Sequence, residues 1–119
     1  RLVLQPMAGA ASLRKWLIQN GWCIVAEDLV ADGRHLYEIM AVERGESEAF
    51  SDAVLEIGPS LIGAKHPLLA KQFARQINNY KKLLANMGKS EQAKASEKYI
   101  AWEKLVQELE ALADACNCK

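Results

Sequence analysis

The chain has 119 residues, half of them hydrophobic and a quarter charged, with 15 basic residues balanced by 15 acidic ones. That length leaves room for about one domain of ordinary size, roughly 100 to 200 residues, and excludes two large ones. The composition is that of a chain that buries a core, which excludes a disordered or collagenous polymer, and no apolar stretch approaches the roughly 20 residues of a bilayer span.

The zero net charge hides an asymmetry. Up to Gly58 there are five basic residues against nine acidic ones, and from Pro59 onward ten against six. Between Ser60 and Ser90 the chain carries Lys65, Lys71, Arg75, Lys81, Lys82 and Lys89 and no acid at all. Such clustering points to a polyanionic partner, the plainer alternative being a solvated helix face.

The first element is the apolar run Leu2-Val3-Leu4, stopped by Pro6, which reads as a parallel strand buried on both faces. Opening at Arg1 on the edge of this run, the chain reads as a piece of something longer, with the strand's neighbours upstream. Ser12 is placed to cap a helix whose apolar stripe is Leu13, Trp16 and Leu17, and Asn20-Gly21 supplies a left-handed stop. Trp22 to Val30 and Leu36 to Val42 read as two strands joined by a tight turn at Ala31-Asp32-Gly33-Arg34, an antiparallel hairpin. From Gly45 to Gly63 the pattern breaks into a Gly- and Pro-punctuated passage, with Ile57-Gly58-Pro59 its clearest turn, and this is the expected junction.

After His66-Pro67 the apolar residues Ala70, Phe73, Ile77, Tyr80, Leu84 and Met87 alternate in steps of three and four, and Gly88 ends the helix. Ser90 can cap a second helix with the seam Ala95, Tyr99, Trp102, Val106, Leu109, Ala113 and Cys116. A short connector between them predicts an antiparallel helical hairpin of coiled-coil type. The expected domains are therefore 1–58, an α/β portion, and 59–119, a basic helical hairpin.

Chemistry-bearing residues are few. Glu27 and Asp28 are adjacent acids, but on a strand neighbouring side chains face opposite ways. Cys23, Cys116 and Cys118 are an odd number at a spacing that makes neither a disulfide framework nor a zinc site with His35 and His66, so no metal is expected and the compartment reads as reducing and intracellular. Neither a P-loop nor a Gly-x-Gly-x-x-Gly fingerprint is present, and no catalytic residue is assigned.

Arg1-Leu-Val-Leu-Gln-Pro6, Ser12-Leu-Arg-Lys-Trp-Leu-Ile-Gln-Asn-Gly-Trp22, Glu27-Asp-Leu-Val30, Tyr37-Glu-Ile39 and Ile57-Gly-Pro59, followed by a basic helical hairpin, occur in order. In this the chain resembles the C-terminal half of the bacterial tRNA adenine-N1 methyltransferases acting at position twenty-two. The resemblance implies a Rossmann-like class I methyltransferase sheet, of which this chain would supply the fifth strand, the last helix and the sixth and seventh strands, and then a coiled coil that helps hold tRNA. It implies S-adenosylmethionine as cofactor, tRNA as partner and a cytoplasmic protein, with the cofactor loop and catalytic segment earlier in the full-length protein. Met7 departs from the family's asparagine after Gln-Pro, leaving Gln5 and Pro6 as candidates for the substrate-pocket rim. With tRNA as the polyanionic partner, the acid-free basic cluster Lys65, Lys71, Arg75, Lys81, Lys82 and Lys89 is the expected tRNA-facing surface. The truncated sheet edge offers a place for chain-to-chain pairing. A non-catalytic RNA-binding adaptor of the same fold, and a helical-hairpin module for protein association, are the alternatives.

Overall fold

The computed structural model describes residues 1–118 and divides into two compact units, Arg1–Leu69 and the remainder from Ala70 onward. In the first unit, β1 (Leu2–Leu4) leads through α1 (Ala10–Gln19) into β2 (Trp22–Asp32) and β3 (His35–Arg44), followed by α2 (Asp52–Ile57) and α3 (Pro59–Gly63). The sheet has three strands in the order β1-β3-β2. Both outer strands run antiparallel to β3, with Leu4 opposite Met40 on one side and Glu27 opposite Met40 on the other. The expected hairpin is present, longer than its apolar runs and closed at Gly33 in the left-handed region (φ 61°). A bulge at Val25, between Ile24 and Ala26, shifts the register once.

The parallel neighbours expected for β1, which the sequence reading places upstream of Arg1, are not among the described residues. The neighbour of β1 among the described residues is the antiparallel β3, it lies at the sheet edge, and Leu2 and Val3 are exposed (48% and 68%).

Helix α1 corrects two expectations. Its N-cap is Gly9, in the left-handed region (φ 71°), while Ser12 lies inside the first turn and caps nothing. The buried residues are Ala10, Arg14 and Leu17, and Trp16 is exposed, because the helix turns the 10-14-17 row inward. Gly21 (φ 82°) supplies the left-handed stop. Ala10 and Leu17 pack with Met40 and Val42, flanked by Leu4, Leu13, Trp22 and Ile24.

The passage after Gly45 is more than a junction. Ser51 caps α2 by accepting the Val54 N–H, and Pro59 opens α3 in the position where its missing N–H costs nothing. Ala53, Leu55, Ile57 and Leu61 are buried, α2 lies against α1, and α3 lies against β2. That packing is why the division of the chain falls after Leu69 and not after Gly58.

The second unit holds most of α4 (Leu69–Met87), with α5 (Glu91–Lys94) and α6 (Glu97–Ala115). Where the sequence predicts a single second helix from Ser90, the chain makes two. Ser90 accepts the Ala93 N–H and caps α5; Ser96 donates to the Ala93 carbonyl (2.6 Å), ending α5, and accepts the Tyr99 N–H, starting α6. Ala95 therefore falls in the break and is exposed, as is Ala70, whereas Phe73, Val106, Leu109 and Ala113 are buried and Ile77, Tyr80, Leu84, Tyr99 and Trp102 are half-buried. Tyr80 and Trp102 meet edge-on with ring centroids 5.6 Å apart, joining α4 to α6. Helix α6 ends on Asn117 (φ 56°), whose N–H donates to the Asp114 carbonyl while the Cys118 N–H donates to the Ala113 carbonyl, a Schellman closure with asparagine in place of glycine.

Candidate nucleic-acid interface

The polar group most deeply built into the first unit is Arg14, fully buried on α1. Its Nε donates to Glu27 Oε2 (2.8 Å), Nη2 to Glu38 Oε1 (2.5 Å), and Nη1 to the Leu55 carbonyl (2.8 Å). One planar guanidinium thus ties α1 to both long strands and to α2, a use of its fixed fork that lysine cannot match. Glu27 spends its other oxygen on the Ser60 N–H (2.9 Å), giving the first turn of α3 a cap from a residue on another element. Between them passes Gly58, at φ 125°, where an added Cβ would stand 2.9 Å from Glu27 Oε2 and 3.0 Å from Arg14 Nη2. The Ile57-Gly58-Pro59 signal therefore marks the place where backbone crosses a buried ion cluster. Sequence reasoning misses this cluster, because Arg14 is one charge among many on a short helix. The signal that could have found it is its position in the 10-14-17 row, where a long cation must meet acids or stay unpaired.

The adjacent acids Glu27 and Asp28 take different partners. Asp28 is exposed and its Oδ1 lies 2.6 Å from His66 Nε2, while His66 Nδ1 accepts the Leu68 N–H (3.0 Å). With Nδ1 accepting, the proton sits on Nε2 and is donated to Asp28. That hydrogen bond, with a second from the Leu29 N–H, lowers the Asp28 pKa below its ordinary value.

The basic residues separate into three environments. Lys71 and Lys82 are exposed on α4, eleven positions apart, which at 3.6 residues per turn returns nearly to the same face. Lys89 is exposed in the turn that follows. Lys81 Nζ lies 3.4 Å from Glu110 Oε1 of α6, an exposed pair of small energetic weight. Arg75 is half-buried and donates from Nη2 to Gln72 Oε1 (2.5 Å). Lys65 belongs to the first unit, in the left-handed position (φ 51°) that closes α3. Helix α4 carries no acid along its length, whereas α6 carries Glu97, Glu103, Glu108, Glu110 and Asp114. Lys71, Lys81, Lys82 and Lys89 thus belong to the second unit and Lys65 to the first.

Gln5 is exposed and Pro6 half-buried, immediately past the carboxyl end of β1. Cys116 and Cys118 flank the Asn117 turn as free thiols, and burial pushes the Cys118 thiol up, with Cys116 adding to the shift. Among the described residues no three His, Cys, Asp or Glu side chains converge as metal ligands, and no helix is long and apolar enough to cross a membrane.

Comparison with known proteins places this geometry. A Bacillus subtilis (strain 168) tRNA (adenine(22)-N(1))-methyltransferase is 25% identical over 84 residues, covering 66% of this chain and 35% of that protein. Among solved structures, a Streptococcus agalactiae protein of the NADB-Rossmann superfamily superposes with a TM-score of 0.73 at 28% identity, over 92% of this chain and 46% of its own. A Streptococcus pneumoniae protein, a candidate tRNA (m1A22) methyltransferase, also reaches 0.73, at 26% identity, over 92% of this chain and 47% of its own. It has also been solved in complex with S-adenosyl-L-methionine, in a structure that matches with a TM-score of 0.66 at 24% identity. The chain thus spans about a third of the curated relative and just under half of the solved ones. The model of the TrmK family, tRNA (adenine(22)-N(1))-methyltransferase, matches residues 1–110, and the chain belongs to that family.

Proposed function

We propose that this chain is a C-terminal portion of an S-adenosylmethionine-dependent enzyme that methylates N1 of an adenine in tRNA, with its helical unit holding the tRNA. The observation that carries the reading is the family match across residues 1–110, which takes in both units. The first unit is the end of a class I methyltransferase sheet. The helices α4 and α6 form the antiparallel coiled coil, a reading supported by the burial of Phe73, Val106, Leu109 and Ala113 along the expected seam and by the Tyr80–Trp102 contact.

The residues present do not fit the cofactor. Arg14, Glu27 and Glu38 answer one another, and the close backbone passage at Gly58 is filled by their side chains, so none of them is aimed at a ligand. The cofactor is therefore assigned to other parts of the full-length protein, and no catalytic group is placed here. Gln5 and Pro6, at the carboxyl end of β1, are the part of the substrate-side rim this chain would contribute.

The tRNA surface is the acid-free α4. Lys71, Lys81, Lys82 and Lys89 would contact phosphates, which fixes orientation without reading sequence, with Arg75 at the margin of α4 and Lys65 a separate contact from the first unit. The test is made on the full-length protein. Incubated with tRNA and labelled cofactor, it should give 1-methyladenosine, detected by mass spectrometry and by a primer-extension stop; no such product would defeat the reading. Changing Lys71, Lys82 and Lys89 to glutamate spares Arg75, whose guanidinium is held by Gln72. Three lost phosphate contacts should flatten the slope of log affinity against log salt by roughly 2 to 3 units, with cofactor affinity unchanged. An unchanged slope would reassign the helices to protein association.

A further inference from the structure

We infer that the tip of the β2–β3 hairpin, through Arg34, His35 and Tyr37, grips one unstacked nucleotide of the RNA substrate beside the end of β1; this rests on the tRNA-methyltransferase reading above. The argument starts from strand direction. β1 and β2 are each antiparallel to β3, so they run the same way and their carboxyl ends lie at one end of the sheet. Leu4 and Glu27 both stand opposite Met40, so Gln5 and Pro6 leave the sheet level with Asp28 while β2 and β3 extend to the Asp32–His35 pair. In open α/β sheets ligands bind outside the carboxyl ends of the strands. The hairpin tip therefore overhangs the end of the sheet where a substrate is expected.

What projects there suits a nucleotide. The Arg34 side chain is exposed and makes no hydrogen bond or ion pair among the described residues. The His35 and Tyr37 rings, two positions apart and hence on one face of β3, lie with centroids 6.0 Å apart and planes inclined by 36°, and neither side chain makes a hydrogen bond among the described residues. An exposed guanidinium matches a phosphate, and neighbouring rings offer a stacking surface for a base lifted from its helix. Farther back on β2 Asp28 is engaged by His66, and Asp32, directly opposite His35, keeps the net charge of the tip low. A tip of that charge suits a single nucleotide's phosphate and base and not a run of duplex phosphates, which is the task assigned to α4.

The test uses the full-length protein with a tRNA transcript. The double variant Arg34→Glu, His35→Ala should raise KM for tRNA at least about tenfold, from the loss of base stacking together with a phosphate contact, while cofactor affinity stays as in the parent. A KM within twofold of the parent's would overturn the inference. Independently of methylation, the unsubstituted protein is cross-linked to tRNA carrying 4-thiouridine and the peptides are mapped. Cross-links within residues 33–37 support the contact; cross-links confined to α4 refute it. If the parent protein makes no 1-methyladenosine the proposed function fails, and the cross-linking result still decides whether the tip touches RNA.

Discussion

Replacing Arg14 by methionine removes the one cation from a cluster that holds four elements of the first unit together. The side chain is fully buried, and its loss leaves Glu27 with only the Ser60 N–H of that cluster, at 2.9 Å, takes from Glu38 its 2.5 Å contact, and strips the Leu55 carbonyl of its 2.8 Å donor. Removing one partner of a buried ion pair costs about 3–5 kcal/mol, and the orphaned carbonyl about 1–3 kcal/mol before relaxation, so a net loss of at least about 4 kcal/mol is expected. For a chain of 119 residues the whole stability is on the order of 6–18 kcal/mol, so much of it would go. Urea unfolding followed by tryptophan fluorescence reads this change, since Trp22 packs against the core that Arg14 helps to fix. A variant adding Glu27→Gln and Glu38→Gln to Arg14→Met should recover a large part of the loss. No uncompensated charge then remains, and the amide oxygen introduced by Glu27→Gln still accepts from the Ser60 N–H. A single variant destabilised by less than about 1 kcal/mol would refute the claim that this cluster holds the unit, given the magnitude expected for a buried pair.

Gly58→Ala should destabilise the protein by roughly 2–4 kcal/mol in the same assay, since its Cβ would press on Glu27, Leu61 and Arg14 at a φ of 125°. Ser96→Ala should cost about 1 kcal/mol, as the cap of α6 is lost, and Asn117→Gly should raise stability by up to about 1 kcal/mol by relieving a left-handed asparagine; thermal melts check both. Asp28 should titrate below its ordinary value of 3.8 by carboxyl NMR and move back up in His66→Ala. Its pKa being lowered on folding, the link contributes fully above the unfolded value and is lost as pH falls through the lower folded one, so only acid conditions below about 3.8 should release it.

Periodicity along the chain was enough to determine the hairpin and the long helices, though not α2, α3 or the break between α5 and α6. The Asp32-Gly33 turn between two β-rich runs can only be a hairpin, and the three-and-four spacing of Phe73, Ile77, Tyr80 and Leu84 can only be a helix with one apolar face. Such signals are local, since backbone conformation and one-sided burial are written within a few residues. Charge was legible too: the lysines of an acid-free α4 need no partner to be located. Tertiary structure decided what depends on distant residues. Ser12 has the chemistry of a cap, but the crossover from β1 starts α1 at Gly9 and leaves Ser12 in the first turn. Leu2-Val3-Leu4 has the composition of a buried strand, yet which neighbour it pairs with is set by β3, about forty residues on. Arg14, Glu27, Glu38 and Ser60 carry no common pattern in sequence, because a buried ion cluster is assembled by packing several elements around one guanidinium, and only the folded chain brings those groups within hydrogen-bond reach.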